Sequence, residues 1–406
     1  MKRVTFIGGG SAALISSILI KQRDPSIDVF IIEKDKKLGR KLAMTGGGKC
    51  NMAPMDDDIL AYNLESHDLL KDLYHDINLD SYFTYLSEVG IETKTIKDYG
   101  YYPTHESAPQ LVKNLTHRVR KLGIHVINDE LVDIEIVNHN PSLYKLICKD
   151  STYESEYVVF ATGGMNDKMV AILEKLDIYL DGFHNGLCPI KLKENVSNLF
   201  GCRFMANVTL KENGKPYKKY FGEVQFKKDG LSGIPILNLS SDILRRFYND
   251  SSLYPQIEKP ISGCLDDFEI IVGLPEKYFN DISKKGYGVQ SKDFLMKYFK
   301  EEYVDYLLCK HNVNPQEIVT SKNELVLSQM MLKESFHVDS FYGQEFSQVT
   351  VGGIPLINIT KDFENKHIQN TYFVGEMLNV DGYCGGYNLR FTITSSIKCA
   401  LSILKR

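Results

Sequence analysis

The sequence predicts an α/β fold with a parallel sheet, interrupted by an inserted unit of antiparallel strands and short helices. Three observations lead to this prediction. A strand, a helix and a second strand fill the first 33 residues, alternating apolar and polar runs begin beyond about residue 187, and a strand-and-glycine pattern returns after Phe346. With 406 residues, the chain is long enough for two to three domains of roughly 150 residues each.

The first 33 residues have the pattern of a βαβ unit. Residues 3–7 (RVTFI) predict a short buried strand, residues 8–13 (GGGSAA) predict a turn, and apolar residues then recur at helical spacing. Asp24-Pro25 ends this helix, and residues 28–33 (DVFIIE) predict a second buried strand. Two strands joined by a helical crossover are parallel, and the crossover is right-handed.

The next segments alternate between loops, helices and strands. A loop rich in glycine and lysine covers residues 38–51. Helices are predicted at about 66–76, at about 79–89 and from 108 to 123, where a glycine ends the last of them. Three strand-like runs follow, the last of which leads into Gly163-Gly164.

Beyond about residue 187 the character of the chain changes. Residues 202–238 alternate as antiparallel strands do, and Asn213-Gly214 is typical of a two-residue hairpin turn. Residues 275–334 predict several short helices, and residues 387–404 predict a final helix. The chain shows neither internal repeats nor low-complexity tracts.

These patterns predict two domains. Both ends of the chain are expected to form a nucleotide-binding domain, and the insertion is expected to cover the cofactor and shape the substrate pocket. The expected boundaries are 1–187 and 346–406 for the nucleotide-binding domain and 188–345 for the insertion, which is β-rich at about 188–273 and 331–345 and helical at about 274–330.

The strongest local motif is Gly8-x-Gly10-x-x-Ala13 between the first strand and the first helix. The first glycine allows a tight turn, the second lets the backbone approach a pyrophosphate, and the small third residue allows close helix–strand packing. The helix N-terminus then offers N–H groups to the phosphates. Glu33 follows Gly10 by 23 residues and is placed to accept hydrogen bonds from ribose hydroxyls. The alternative is a merely tight turn beside a solvated glutamate.

Two further segments bear on which dinucleotide is bound, NAD or FAD. Residues 38–51 supply cations, which suit a diphosphate, and three consecutive glycines, whose N–H groups suit the edge of a flavin. Near the C-terminus, a strand runs into Gly375-Glu376, and residues 381–388 open the last helix. A second helix N-terminus facing the first is what a long dinucleotide requires.

At this point the chain resembles a known family, the FAD-dependent flavoproteins described as HI0933-like, or as aminoacetone-oxidase- and BaiN-like NAD(P)/FAD-dependent oxidoreductases. The matching blocks span nearly the whole chain: residues 7–13 (IGGGSAA), 39–42 (GRKL), 45–51 (TGGGKCN), 161–164 (ATGG), 226–233 (FKKDGLSG), 349–353 (VTVGG) and 373–388 (FVGEMLNVDGYCGGYN). The chain departs from the family pattern at three places. Tyr101 stands where the family commonly has an Arg, and Ser395-Ser396 stands where the family commonly has Ser-Gly. In the family a proline commonly follows Ser-Gly directly, whereas here Ile234 comes before Pro235.

The resemblance implies a Rossmann-like FAD domain of the two-dinucleotide-binding type, interrupted by an antiparallel β-barrel-like domain with a helical subdomain. It implies redox chemistry at the flavin, with NAD(P)H as a plausible reductant. The residues that we expect to bind the cofactor are Gly8, Gly10, Ser11, Ala12, Glu33, Lys34, Arg40, Lys41, Thr45, Gly46, Gly47, Cys50, Asn51, Val132, Ala161, Thr162, Gly163, Gly375, Glu376, Asp381, Gly385, Gly386, Tyr387 and Asn388.

Composition and charge narrow the classes of partner. With 48 basic and 52 acidic residues, the net charge of −4 gives no global attraction to nucleic acid or to an anionic membrane. No apolar run approaches the ~18 residues of a transmembrane helix. The eight cysteines include no CxxC pair and the ten histidines show no metal-binding spacing, so we expect reduced thiols, no metal and a cytoplasmic location.

Other functional readings remain open at the level of sequence. The residue five after Cys50 is Met55, which excludes the two-cysteine relay of flavin disulfide reductases, and a backbone contact to flavin is favoured for Cys50. His105 is a weak acid–base candidate, and no catalytic residue is assigned. Without a second GxGxxG motif, NAD(P)H would bind only transiently over the flavin. The favoured function is oxidation or reduction of a small molecule, and the alternative is a non-catalytic flavin-binding scaffold. A third alternative is a flavoenzyme that modifies nucleic acid, but the insertion lacks a dense basic stripe, and its lysine pairs at 218–219 and 227–228 are usual on a solvated sheet edge. The oligomeric state is unassigned.

Overall fold

The computed structural model describes residues 2–96, 100–139, 142–164, 167–248 and 265–406. The chain divides into two compact units, Met1–His184 together with Val349–Arg406, and Asn185–Gln348. The strands of the described residues are β1 (Arg3–Ile7), β2 (Asp28–Ile32), β3 (Thr93–Ile96), β4 (Gly100–Pro103), β5 (His125–Ile127), β6 (Leu131–His139), β7 (Ser142–Cys148), β8 (Thr152–Ser155), β9 (Tyr157–Phe160), β10 (Asp181–Gly186), β11 (Ile190–Leu192), β12 (Arg203–Glu212), β13 (Lys215–Phe226), β14 (Gly230–Ser232), β15 (Phe268–Gly273), β16 (Glu334–Phe341), β17 (Val349–Gly353) and β18 (Thr371–Phe373).

The α-helices of the described residues divide between the two units. They are α1 (Ser11–Arg23), α2 (Arg40–Met44), α3 (His67–Asp76), α4 (Leu79–Glu88), α5 (Ala108–Lys121), α6 (Asp167–Lys175), α7 (Ile234–Tyr248), α8 (Ser291–Leu295), α9 (Glu301–Lys310), α10 (Glu324–Leu332) and α11 (Tyr387–Leu404). No helix among the described residues is long and apolar enough to cross a membrane.

A five-stranded parallel sheet in the order β18-β9-β1-β2-β5 forms the centre of the first unit. Its strands are rich in β-branched and aromatic residues because the sheet is covered on both faces. Val4, Phe6, Val29, Ile31 and Val159 are fully buried in it. The βαβ pattern at the start of the sequence therefore correctly predicts β1, α1 and β2.

Two smaller sheets extend the first unit. Strands β6, β7 and β8 form an antiparallel sheet, and β3 pairs with β4. Strand β10 pairs with β17 at the two points where the chain passes between its units. Helix α11 packs along α1, and both helices are largely buried.

The second unit contains a closed antiparallel barrel in the order β11-β14-β13-β12-β15-β16. The predicted hairpin turn joins β12 to β13, where Asn213 has φ 50° and Gly214 has φ +75°, as a two-residue turn of this kind requires. The structure therefore confirms an α/β fold whose Rossmann-like sheet is interrupted by an antiparallel barrel.

One detail of the insertion differs from the sequence prediction. The antiparallel pattern predicted over 202–238 ends at Ser232, because α7 begins at Ile234, with Pro235 in its first turn, where a missing N–H costs nothing.

The short helices of the insertion pack on the barrel. Phe294 of α8 and Leu307 of α9 belong to the same hydrophobic core as the barrel residue Phe226.

Candidate cofactor site

The predicted site residues of the first unit gather at the carboxyl ends of four adjacent parallel strands. Glu33 follows β2, Gly8–Gly10 follow β1, Ala161–Gly163 follow β9 and Gly375–Glu376 follow β18. Ligands of open parallel sheets bind outside this edge, because the strand-to-helix turns expose backbone N–H groups there. The fold therefore brings together residues that lie up to 368 positions apart in the sequence.

Gly8 and Gly10 of the first turn differ in how closely the rest of the protein packs against them. Gly8 has φ +96°, and a Cβ there would lie 2.8 Å from the Ala161 carbonyl oxygen, so the fold itself requires glycine. Gly10 has φ −77°, and a Cβ there would approach only the Ala161 oxygen, at 3.7 Å. Packing in the protein therefore leaves room for a side chain at Gly10, and the same room lets a ligand approach the backbone.

The N-terminus of α1 is not capped by a side chain. Gly10 is its N-cap residue, and Ser11 and Ala12 stand in its first turn, where N–H groups have no partner within the helix. Such a terminus attracts an anion through its N–H groups and the helix dipole. The turn thus fits the pyrophosphate of a dinucleotide.

The Glu33 carboxylate lies directly beside this turn. Its two oxygens accept hydrogen bonds from the Gly9 N–H at 2.6 Å and the Asp35 N–H at 2.9 Å. The side chain is half-buried, so it is fixed by the backbone and still reachable. This arrangement supports the predicted role of Glu33 as an acceptor for ribose hydroxyls.

A Glu33→Ala substitution is expected to weaken FAD binding by about 10- to 150-fold, because a hydrogen bond to a charged group contributes roughly 1.5–3 kcal/mol. The measurement is an FAD titration of the stripped full-length protein by calorimetry. Asp28→Asn, at the other end of β2, is the matched control and should leave the dissociation constant unchanged. An unchanged dissociation constant in Glu33→Ala would mean that the carboxylate only holds the turn.

A partly open cleft with a volume of about 100 Å³ lies next to Glu33. Its lining includes the predicted residues Gly8, Glu33, Lys34 and Thr162, and residues that the motif analysis missed. The full lining is Ile7, Gly8, Ile32, Glu33, Lys34, Asp129, Glu130, Leu131, Thr162, Gly164, Lys168 and Met169. Val132, which was expected at the cofactor, is 43% exposed and is not part of this lining; the apolar wall comes from Leu131.

Arg40 and Lys41, two of the three cations of the 38–51 segment, are paired with carboxylates. Arg40 contacts Asp35 at 2.7 Å, and the Lys41 ammonium contacts both oxygens of Glu376 at 2.8 Å. The expectation that these cations face a diphosphate stays a prediction. The Lys41–Glu376 pair joins the early loop to the end of β18, and Glu376 also accepts the Thr350 N–H.

The segment Thr45–Gly48, with its three consecutive glycines, forms a single tight turn. Gly46 and Gly47 adopt left-handed conformations, with φ 59° and 63°, and a Cβ at Gly47 would meet nothing within 4 Å. The N–H of Cys50 closes this turn by donating to the Thr45 carbonyl. The turn therefore presents an open backbone surface, as a flavin edge requires.

Cys50 is held in an unusual and enclosed position. It has φ 65° although it is not glycine, it is fully buried, and its sulfur lies 3.3 Å from that of Met52. Burial raises the pKa of the Cys50 thiol to about 12. The thiol is therefore protonated at neutral pH, which supports a backbone role and argues against a thiolate nucleophile.

We expect Cys50 in the folded protein to resist iodoacetamide at pH 8, because only the thiolate reacts and the pKa lies about four units higher. Cys309, which is exposed, serves as the internal control and should be modified. Peptide mass spectrometry after timed labelling measures both sites in one sample. Labelling of Cys50 as fast as Cys309 without urea would contradict the assignment.

The predicted C-terminal residues build the start of α11. Gly386 is its N-cap, with φ +98°, and a Cβ there would lie 2.8 Å from the Ala53 carbonyl carbon and the Asn51 side-chain oxygen. Contact with the 51–53 segment therefore already requires glycine at position 386. A Cβ at Gly385 would meet only the ring of Tyr387 within 4 Å, at 3.4 Å.

Asn388 and Asp381 act within this same turn. The Asn388 side chain accepts the Gly382 N–H at 2.8 Å and donates to the Gly382 carbonyl at 2.7 Å. The backbone of the buried Asp381 makes two hydrogen bonds with Asn63: its carbonyl accepts the Asn63 N–H, and its N–H donates to the Asn63 side-chain oxygen. The side chains of Asn388 and Asn63 therefore fix the shape of the turn through its backbone groups.

A pair of carboxyl groups that the sequence did not indicate lies beside this turn. The side-chain amide of Asn379 donates to Glu65 and to Asp181, each at 2.9 Å. Burial and the nearby Asp181 raise the pKa of Glu65, and burial raises the pKa of Asp181. No sequence motif links these residues, because they come from three distant segments.

Tyr101, the position where the chain departs from the family pattern, is part of the aromatic packing. Its ring lies 4.5 Å from that of Phe83, and its backbone pairs with Met52 and Ala53. His105 is exposed, and its ring nitrogen Nδ1 accepts a hydrogen bond from the Ser107 N–H within the same turn. Neither residue is placed as an acid–base group by these contacts.

Comparisons with known proteins agree with this fold. The HI0933-like protein Rossmann domain family matches residues 2–402. The chain is 23% identical over 404 residues to the 3-dehydro-bile acid delta(4,6)-reductase of Clostridium scindens, covering 96% of each chain. It is 24% identical over 425 residues to the ribosomal RNA dihydrouridine synthase of Escherichia coli, covering 98% of this chain and 97% of the relative.

Solved structures share the fold at low identity. The 3-ketosteroid delta1-dehydrogenase of Sterolibacterium denitrificans superposes with a TM-score of 0.55 at 10% identity, over the full length of both chains. The 3-ketosteroid-delta4-(5alpha)-dehydrogenase of Rhodococcus jostii has a TM-score of 0.51 at 12% identity, covering 100% of this chain and 97% of that one. The chain thus belongs to the HI0933-like family of Rossmann-fold flavoprotein oxidoreductases.

Proposed function

We propose that this protein is an FAD-dependent oxidoreductase that transfers a hydride between the flavin and a small organic substrate, with NAD(P)H as the reductant. The observation that carries the proposal is the anion-binding turn at Gly8–Gly10, where packing leaves a vacant Cβ position beside the fixed Glu33 carboxylate. A flavin, when bound, accepts and donates the hydride, and the chain positions it.

The residues of the first unit have distinct roles in this proposal. Gly10, Ser11 and Ala12 would hold the pyrophosphate, Glu33 the ribose, and the 45–51 turn the edge of the ring. The N-terminus of α11 adds backbone N–H groups near Tyr387. Glu65 and Asp181, bridged by Asn379, are candidates for holding a proton, because a raised pKa keeps a carboxyl protonated to higher pH.

The relatives guide the choice of substrate class. The Clostridium scindens relative is named as a reductase of an unsaturated bile acid. We therefore favour reduction of a carbon–carbon double bond conjugated to a carbonyl group, since a hydride from flavin adds readily to such a bond.

The test is anaerobic spectroscopy of the purified full-length protein. We expect a yellow protein that releases FAD rather than FMN on denaturation, and that is bleached by NADH or NADPH. The bleached protein should then be reoxidised by an enone substrate. A colourless protein that rejects added FAD would refute the proposal, and a yellow protein that neither nucleotide reduces would favour a non-catalytic flavin-binding scaffold.

A second candidate function is reduction of uridine in RNA, because two relatives are named ribosomal RNA dihydrouridine synthases. In the second unit, the outward face of the β12–β13 hairpin carries the 58%-exposed Phe221, with Lys219 two positions before it on β13. Lys219 lies 3.9 Å from Glu276, so the exposed ring, on which a base can stack, is the feature that suits single-stranded RNA. Oxidation of the reduced flavin by ribosomal RNA, with mass spectrometry for dihydrouridine, would favour this function over the small-molecule one.

A further inference from the structure

Asp129 is a buried carboxylate in the cleft beside Glu33. It is 6% exposed and belongs to the lining of the cleft, although no motif singled it out. Its segment is tied to the end of β2, because the Glu33 N–H donates to the Ile127 carbonyl at 2.9 Å and the Asn128 amide donates to the Glu33 carbonyl at 2.9 Å. Asp129 therefore lies one residue from a direct contact with the glutamate that we assign to the ribose.

The two oxygens of Asp129 are in different situations. Oδ1 accepts the N–H groups of Glu130 at 2.8 Å and of Asp150 at 3.2 Å. Oδ2 is buried and has no hydrogen-bond partner among the described residues. Buried acceptors are nearly always paired, so an unpaired one in a cleft marks the place of a donor from outside the chain.

The rest of the cleft indicates what kind of donor this is. Leu131 and Met169 supply apolar side chains that are at most 8% exposed and suit the face of a flat ring. Lys168 of the lining is paired with Glu130 at 2.9 Å. Lys34, the other lysine of the lining, is exposed, so the buried charged group that the cleft offers its occupant is the Asp129 carboxylate. This chemistry fits a nucleoside, whose hydroxyl and amino groups are donors, better than it fits a phosphate.

We propose that Asp129 recognises the exocyclic amino group of adenine and so selects adenine dinucleotides over hypoxanthine ones. The proposal rests on the proposed FAD site, with Glu33 at the ribose. A single free oxygen matches a single amino donor. Hypoxanthine carries an oxygen acceptor at the same position, which would face the carboxylate oxygen and gain no hydrogen bond.

The experiment uses ADP and IDP, which differ at this one group. The full-length protein, dialysed free of co-purified nucleotide, is titrated by calorimetry with each. We expect ADP to bind at least about tenfold more tightly than IDP, as a hydrogen bond to a charged group allows. In Asp129→Asn, where Oδ1 is kept and Oδ2 becomes an amino donor, we expect the preference to vanish or reverse in favour of IDP.

Asp150→Asn is the matched control, because it removes a neighbouring exposed carboxylate that is not part of the cleft. It should retain the preference for ADP, whereas Glu33→Ala should weaken ADP and IDP alike. Equal binding of ADP and IDP to the natural protein, or an unchanged ratio in a folded Asp129→Asn, would overturn the inference. If Asp129→Asn fails to fold, the ratio in the natural protein decides.

These outcomes are separate from those of the redox test. A protein that prefers ADP through Asp129 but is not reduced by NAD(P)H would uphold this inference and refute the oxidoreductase. A yellow protein that turns over substrate but binds ADP and IDP equally would uphold the oxidoreductase and refute this inference.

Discussion

A Gly10→Val protein is expected to fold and to lose FAD. The backbone at Gly10 is extended, with φ −77° and ψ −168°, which valine adopts readily, and the Cβ position is 3.7 Å from its nearest neighbour. The added side chain would occupy the space where the pyrophosphate approaches the N–H groups of α1. Loss of even two such hydrogen bonds, at roughly 1.5–3 kcal/mol each, weakens binding by more than about 100-fold.

The measurement is the FAD content of the purified variant together with its dissociation constant by calorimetry. Gly10→Ala gives a graded comparison, since its single methyl group should weaken FAD binding less than valine does. Circular dichroism should show natural secondary structure in both variants. Full flavin occupancy in Gly10→Val would mean that the turn does not hold a pyrophosphate, and would remove the main support for the proposed cofactor.

The contrast between Gly8 and Gly10 shows how far the sequence could predict the site. The strand–turn–helix pattern placed both glycines and Glu33 correctly, because periodicity and turn residues are local signals. It could not tell a glycine required by the fold from one that leaves room for a ligand. That distinction depends on Ala161, which is brought to the turn only by the pairing of β1 with β9.

Charged residues show the limit of local patterns most clearly. Arg40 and Lys41 look like free cations in the sequence, but each contacts a carboxylate, and the partner of Lys41 lies 335 residues away at Glu376. Asp129 was missed for the same reason, since its burial comes from strands that surround it in space. The missed start of α7 is different in kind, because its apolar run fits a helix or a strand equally well.

Arg390 illustrates a contact that no sequence pattern reveals, although it fixes the N-terminal part of α11. The side chain is fully buried, and its guanidinium forms a two-point contact with Asp57, at 2.9 and 3.1 Å. It also donates to the Ile77 carbonyl at 2.8 Å and lies over the rings of Tyr74 and Tyr82, 4.5 and 4.3 Å from their centroids. The Arg390–Asp57 ion pair therefore holds the loop that contains Asp57 against α11, the helix whose N-cap is Gly386.

Asp57→Asn is expected to destabilise the first unit by about 3–5 kcal/mol, because it leaves a buried guanidinium without its counter-charge. Asp58→Asn is the matched control: Asp58 caps a short helix by accepting the Leu60 N–H, and asparagine caps equally well, so stability should change little. Urea unfolding followed by circular dichroism measures the free energy of unfolding of both variants.

Combining Asp57→Asn with Arg390→Met should recover part of the lost stability, because the buried charge is then gone and the methionine still fills the space. If Asp57→Asn were as stable as Asp58→Asn, the start of α11 would be fixed by its contacts with Asn51 and Ala53 alone, and Arg390 would have no part in shaping the cofactor site.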